Sequence, residues 1–446
     1  MDLEYLAEHG LDLGKKLGAD EIEIYVVRST SCEARSLSSR RIETIFGGSR
    51  IDIGVRIVVD KRVAVGGGSI SGVEDLESIV RKVFEIAKHT PRDDKWRSLP
   101  TKLGFTLFDK AYDPKLAKND PTVLLDMLDT MTSTVEKHRD INVVRAVARS
   151  YIIERMIANS YGRTNIDKHT AIEVFLAVRV SGEESGFYDT FEAKTLERFN
   201  PEAFAENCCR LAKLTAHCRA VPTERLNVVL INKVFASIAS TLLVPALAAH
   251  NVQRERSPLR GKLGEQVLSE DLSIVDDGAA PNLINSKSFD DEGIATQRKV
   301  VFDRGVLQTY LYDHYTSTIE NRESTGNAVR RAVHEAPQPW STNFIILPGS
   351  EDLEKLVKTI GRGLVVYRTI GEWLSNPING LLNATISNAV YVENGEVKHG
   401  VKGVIICGNI YELLKDKVMA LGNDVDGVEG CYAPSIALRD VTIAKP

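Results

Sequence analysis

Phe289-Asp290-Asp291-Glu292-Gly293-Ile294-Ala295-Thr296-Gln297-Arg298-Lys299, continuing as Val300-Val301-Phe302-Asp303-Arg304-Gly305-Val306-Leu307, is the stretch from which the fold reads outward. Apolar residues run up to Phe302, and a second run extends from Val306 to Tyr312. Between them Asp303-Arg304-Gly305 supplies a turn with a glycine at positive φ, so the segment predicts a β-hairpin. Three consecutive acids beside Arg298-Lys299 suggest a site at the start of a strand. A solvated rim of opposed charges accounts for the same residues. On the site reading, the acids lie near the mouth of a cavity with Arg298 or Lys299 as charge partner.

Strand signals dominate the chain beyond this hairpin. Asn394-Gly395, inside Tyr391–Val397, is a strong two-residue hairpin signal. Helical spacing appears around Leu353–Lys358 and Ile410–Ala420. Upstream, Leu3, Leu6, Leu13 and Leu17 mark a first helix ending at Gly18, and Glu21–Tyr25 alternates as a half-buried strand. Asp60-Lys61-Arg62 reads as a hairpin turn, Gly66-Gly67-Gly68 as a tight strand exit, and Ser71-Gly72-Val73-Glu74 as a capping box. Asp120-Pro121 and Asn200-Pro201 each open a helix, the latter carrying Cys208 and Cys218 on its apolar face. Asn232 caps a helix that Pro245 kinks or ends. Val221-Pro222-Thr223 is the best boundary. The expectation is an α+β protein of two domains, with mixed or antiparallel sheets flanked by helices: residues 1–220 form an N-terminal α+β domain, and residues 221–446 a β-rich domain carrying the motifs.

Composition narrows the function classes. A chain of 446 residues with 43% hydrophobic and 26% charged residues builds substantial globular cores. A net charge of −5 gives no field that draws it onto nucleic acid. The start, Met1-Asp2-Leu3-Glu4-Tyr5, is acidic and unlike a secretory signal, and the apolar stretch Leu242–Ala249 is too short to cross a bilayer. The six cysteines lack Cys-x-x-Cys or framework spacing, which points to a reducing cytoplasm. No two histidines stand one helical turn apart, and there is no Gly-x-Ser-x-Gly elbow. A dispersed set drawn from His314, His334, Asp276-Asp277, Asp290–Glu292 and Cys431 stays open beside the reading of these acids as solvated loop residues.

Several spaced blocks resemble the TldD/PmbA family, the "modulator of gyrase" proteins associated with proteolysis and peptide maturation. They are Gly18-Ala19-Asp20, Gly54-Val55-Arg56, Phe289–Gly293 with Thr296 and Arg298, Gly305-Val306-Leu307, Ser324-Thr325-Gly326-Asn327, Gly363–Val366, Val392–Glu396 and Gly422-Asn423-Asp424. The resemblance covers essentially the whole chain. The candidates for substrate binding or for lining a cavity are Asp290, Asp291, Glu292, Thr296, Arg298, His314 and Asn327.

In the TldD-like branch a helix carries His-Glu-x-x-x-His, which binds the catalytic zinc together with a cysteine near the carboxyl end. Here Val244 and Ala249 stand where the histidines would be, and Pro245 where the glutamate would be. His250 falls one residue late, about 100° round a helix. Cys431 matches the region of the cysteine ligand, yet a hydrolytic zinc site needs about three protein ligands. The resemblance therefore implies the PmbA (TldE) branch: no metal or cofactor in this chain, zinc in a TldD-like partner, peptide or unfolded substrates, a homodimer when isolated, and no independent catalysis. One alternative is an active metallopeptidase with rearranged ligands such as Cys431, His314 and Asp290–Glu292. Another is a gyrase modulator using Arg254, Arg256, Arg260, Arg330 and Arg331 as a basic patch.

Overall fold

The structure, a computed structural model, describes residues 2–37, 42–183 and 186–445. It has the expected α+β class. In the N-terminal half six strands, β1 (Glu21–Ser36), β2 (Ile42–Val59), β3 (Arg62–Ile70), β4 (Ile141–Asn159), β5 (Arg163–Val180) and β6 (Gly186–Ala193), form one antiparallel sheet in the order β3-β2-β1-β4-β5-β6.

Side chains alternate across a strand, so β1 offers two different faces. Ile22, Ile24 and Val26 pack under α1 (Leu3–Leu17) and α2 (Val73–His89), while Cys32 and Ala34 pack under α3 (Pro121–Glu136) with α4 (Pro201–Leu214) nearby. Glu23 and Tyr25 point the other way and are also buried. That second face docks onto the C-terminal half.

Local signals place the helix ends. Asp2, Asp120 and Asn200 accept N-terminal amide hydrogens, and Gly18 closes α1 at φ 94°. Three readings are corrected. Gly72, not Ser71, is the α2 N-cap, and the Ser71 amide donates to Asp75 instead, so no capping box forms. Gly66-Gly67-Gly68 lies inside β3 rather than at its exit; a Cβ on Gly67 would come within 2.0 Å of the Ile53 carbonyl oxygen on β2. Cys218 lies beyond the end of α4, not on its face.

The C-terminal half contains a closed five-strand barrel. Strand β7 (Glu224–Leu230) pairs in parallel with Arg362–Ile370 and antiparallel with Ile436–Ala444. Ile405–Asn409 and Leu381–Glu393 complete the ring back to Arg362–Ile370. Helix α5 (Asn232–Leu247) packs on it through Phe235, Ile238, Leu242 and Leu243. Ile231 is the α5 N-cap, so Asn232 is already helical. Pro245 sits in the last turn, and a short helix α6 (Ala249–Gln253) restarts after the extended Ala248.

A second sheet holds β8 (Ile274–Asp277), β9 (Arg298–Asp303), β10 (Val306–Leu307), Phe344–Ile346, Cys431–Ala433 and Asp426–Val428. The Arg304-Gly305 and Asn394-Gly395 turns both adopt positive φ at their two central residues, as the hairpin signals require. Among the described residues no helix is long and apolar enough to cross a membrane.

Candidate functional site

The acids Asp290, Asp291 and Glu292 are buried at the seam between the two halves. Their burial overturns the expectation of a solvated rim, and their cations are not Arg298 or Lys299, while Asp291 does border a cavity. Asp291 Oδ1 accepts from Lys287 Nζ at 2.9 Å, Arg155 Nη1 at 3.2 Å and the Tyr25 hydroxyl at 3.2 Å. Glu292 accepts from Arg56 Nη1 at 2.8 Å and from the backbone N–H of His314 at 2.8 Å. Arg56 reaches on to Glu23 at 2.7 Å, and Arg330 also donates to Glu23. Arg155 forks onto Asp167 beside it on the sheet and lies 4.8 Å over the Phe289 ring.

Charge balance explains why so many ions stay buried together. Arg56, Arg155, Lys287 and Arg330 face Glu23, Asp167, Asp291 and Glu292, four against four. Two further acids have no cation of their own. Burial pushes the Asp290 carboxyl up to about 7, and the Glu292 charge adds to this, against three backbone N–H groups that favour its ionised form. Asp313, the N-cap of α7 (His314–Ile319), is likewise raised to about 7 by burial and then by Glu292. For Glu292 burial works in the same upward direction, but Arg56 and His314 more than offset it and the carboxyl ends lowered.

The other candidates separate. Thr296 is buried and donates to the Lys287 carbonyl, holding the loop that presents Lys287. His314 contributes its amide; burial lowers its imidazole pKa, and Nε2 is buried without a hydrogen-bond partner. Arg298 is exposed, 3.7 Å from Asp277. Asn327 belongs to a neighbouring network: its amide donates to Asp276 at 2.7 Å and its carbonyl accepts from Lys299 at 2.9 Å. Arg330 is locked in the seam and Arg331 lies 5.4 Å over Trp340. The basic patch proposed from sequence therefore loses Arg330.

Reading the sequence missed Glu23, Tyr25, Arg56 and Arg155. One signal was available. Gly54-Val55-Arg56 is one of the spaced blocks, and a Cβ on Gly54 would lie 2.0 Å from the Val333 carbonyl oxygen. The glycine lets the other half approach, and Arg56, two residues on and on the same face, meets it.

The second place of interest is the end of α5. Val244, Ala249 and Cys431 are fully buried in one apolar cluster, with Cys431 against Ser240. Burial pushes the Cys431 thiol well up, away from the thiolate that a metal needs. Valine, proline and alanine offer no side-chain donor, so this residue set does not fit zinc. Among the described residues no three His, Cys, Asp or Glu side chains gather as a metal-ligand set.

Comparison with known proteins identifies the family. Residues 223–445 match the PmbA/TldA metallopeptidase C-terminal domain and residues 114–215 its central domain. An uncharacterised protein of Methanocaldococcus jannaschii is 30% identical over 98% of this chain and 99% of its own length. A protein of Haemophilus influenzae named as a metalloprotease PmbA homolog is 24% identical, covering 99% and 96%. The crystal structure of TldE from Thermococcus kodakarensis superposes with a TM-score of 0.90 at 26% identity, over 98% of this chain and 99% of that one. A Thermotoga maritima chain provisionally described as a modulator of a DNA gyrase gives 0.87 at 25% identity, over 99% and 100%. The chain belongs to the PmbA/TldD metallopeptidase family.

Proposed function

We propose that this chain is the metal-free, TldE-like subunit of a cytoplasmic two-subunit peptidase, and that it pairs with a zinc-bearing TldD-like chain to act on peptides or unfolded segments. The observation that carries this reading is the α5 terminus. Val244, Pro245 and Ala249 occupy the ligand-motif positions, and the one matching donor, Cys431, is a buried thiol in an apolar cluster. A surface suited to a partner lies close by. Ile370, Trp373, Leu374, Ile378 and Leu381 are all about half or more exposed, Trp373 at 75%. Ile370 and Trp373 also border a cavity lined by Lys233, Ser237, Ser240 and Thr241 of α5. A cluster of this kind marks an association surface. Relatives named TldD homolog and PmbA homolog both occur in Haemophilus influenzae, which supports a pair of chains.

Elemental analysis of the purified chain tests the first half: the expected result is no stoichiometric zinc, and one tightly held zinc per chain overturns the reading. Mixing tests the second half. Peptidase activity is expected only with a TldD-like partner, abolished by chelator, and Trp373→Asp is expected to prevent co-purification. Chelator-resistant activity from this chain alone contradicts the assignment.

A further inference from the structure

A separate cavity of about 520 Å³ opens on the sheet face that meets the C-terminal half, within the size range of small-ligand pockets. Tyr25, Tyr151 and Trp340 give it aromatic walls, and Lys194, His169 and Lys287 give it nitrogen donors. Lys194 follows β6 directly. Its backbone is pinned across the seam, with its N–H to the Asn282 carbonyl and its own carbonyl accepting from Thr170. Lys194 is 1% exposed, and among the described residues its ammonium makes no hydrogen bond or close ion pair, with Asp167 acting on it only at longer range. His169 is also buried, and its Nδ1 has no hydrogen-bond partner.

The surroundings make this arrangement costly without a ligand. Arg155 on β4, Asp167 and His169 on β5, and Lys287 and Asp291 on the facing loop all surround Lys194. Asp167 and Asp291 are already matched by Arg155 and Lys287, and Glu173 on β5, which also lines the cavity, is matched by Arg149 at 3.7 Å and the Tyr151 hydroxyl. A protonated Lys194 is thus an unmatched buried cation, and burial together with Arg155 lowers its pKa to about 7. An anionic group beside Lys194 Nζ and His169 Nδ1 would satisfy both donors.

We propose that this cavity binds a carboxylate carried on a small body, either a free acid or the C-terminal end of a short peptide, with Lys194 as its charge partner and His169 as a second donor. The proposal does not rest on the partner-subunit reading, because every residue it uses belongs to this chain.

Calorimetry on the full chain tests it with N-acetyl-trialanine, its C-terminal amide, acetate and inorganic phosphate. The expected result is saturable binding of the free-acid peptide, about tenfold or more weaker for the amide and for Lys194→Met, as loss of one charge-assisted hydrogen bond implies. Acetate binding as tightly as the peptide points to a free small acid; weaker acetate binding points to the peptide end. Binding takes up a proton above pH 7, seen as a dependence on buffer ionisation heat, and His169→Gln weakens it less than Lys194→Met. Circular dichroism melts of both variants confirm folding; Lys194→Met keeps the shape without the buried amine. Equal binding of acid and amide, unchanged binding in a folded Lys194→Met, phosphate preferred over carboxylate, or no binding by any carboxylate overturns the proposal.

Discussion

The seam around Asp291 and the apolar cluster around Cys431 are both buried, yet the first holds eight matched charges and the second holds none. At the seam the sheet register sets two pairs, Arg155 opposite Asp167 on β5 and Arg56 opposite Glu23 on β1, and Asp291, Glu292, Lys287 and Arg330 join them from the facing half. At the α5 terminus Val244 and Ala249 are aliphatic beside the Cys431 thiol, and the cluster packs as ordinary core. Buried charge survives where complementary charge crosses from another element. Density of charge in the sequence therefore marked the joint between the halves.

The largest effect that would break this comparison is expected from Asp291→Asn. It leaves Lys287 and Arg155 short of an acid, and breaking a buried ion pair costs about 3–5 kcal/mol. Urea denaturation measures it; an unchanged midpoint would make the seam an ordinary surface network.

Next comes the pH dependence of the two surplus acids. The Asp290 and Asp313 carboxyls sit near 7 in the folded chain, above the ordinary value for an unfolded aspartate. The folded state holds their protons longer, so their contribution to stability is full below about pH 4 and is lost as pH rises toward and through about 7. Asp313→Asn keeps a side chain able to cap α7 and removes one titration. Between pH 5 and pH 8 its urea midpoint is expected to fall less than that of the natural chain. An identical fall in both would show that Asp313 does not titrate there.

Cys431→Ala sharpens the other side of the comparison. A small loss, about 1 kcal/mol as for a typical core substitution, is expected with no change in zinc content. A drop in bound zinc would return Cys431 to the list of ligands. The smallest effect is expected from Arg298→Ala, within about 1 kcal/mol because the Asp277 contact is exposed on the arginine side. A thermal melt checks it.

Much of the fold was legible in the chain. Helix caps at Asp2, Asp120 and Asn200, the end of α1 at Gly18, and the hairpins at Arg304-Gly305 and Asn394-Gly395 are local signals set by φ preferences and side-chain reach. The capping box at Ser71 failed because Asp75 competed for the same amide. The candidate site was only half legible. The acids at 290–292 announce themselves, but their partners Arg56, Arg155, Lys287 and Arg330 are, apart from Lys287, tens to hundreds of residues away.

The sequence by itself determined many of the helix and strand positions and the resemblance to the TldD/PmbA family, and it is by that resemblance that Val244, Pro245 and Ala249 fall where a metal motif is expected. These are matters of residue type and of spacing within a few turns or strands. Only the tertiary structure decided that Glu23 and Tyr25 face protein and not water. An alternating strand specifies two faces, but what covers the second is set by a surface more than two hundred residues later. The same docking turned Asp290–Glu292 from a rim into a buried joint, and left the Lys194 amine buried without a hydrogen bond.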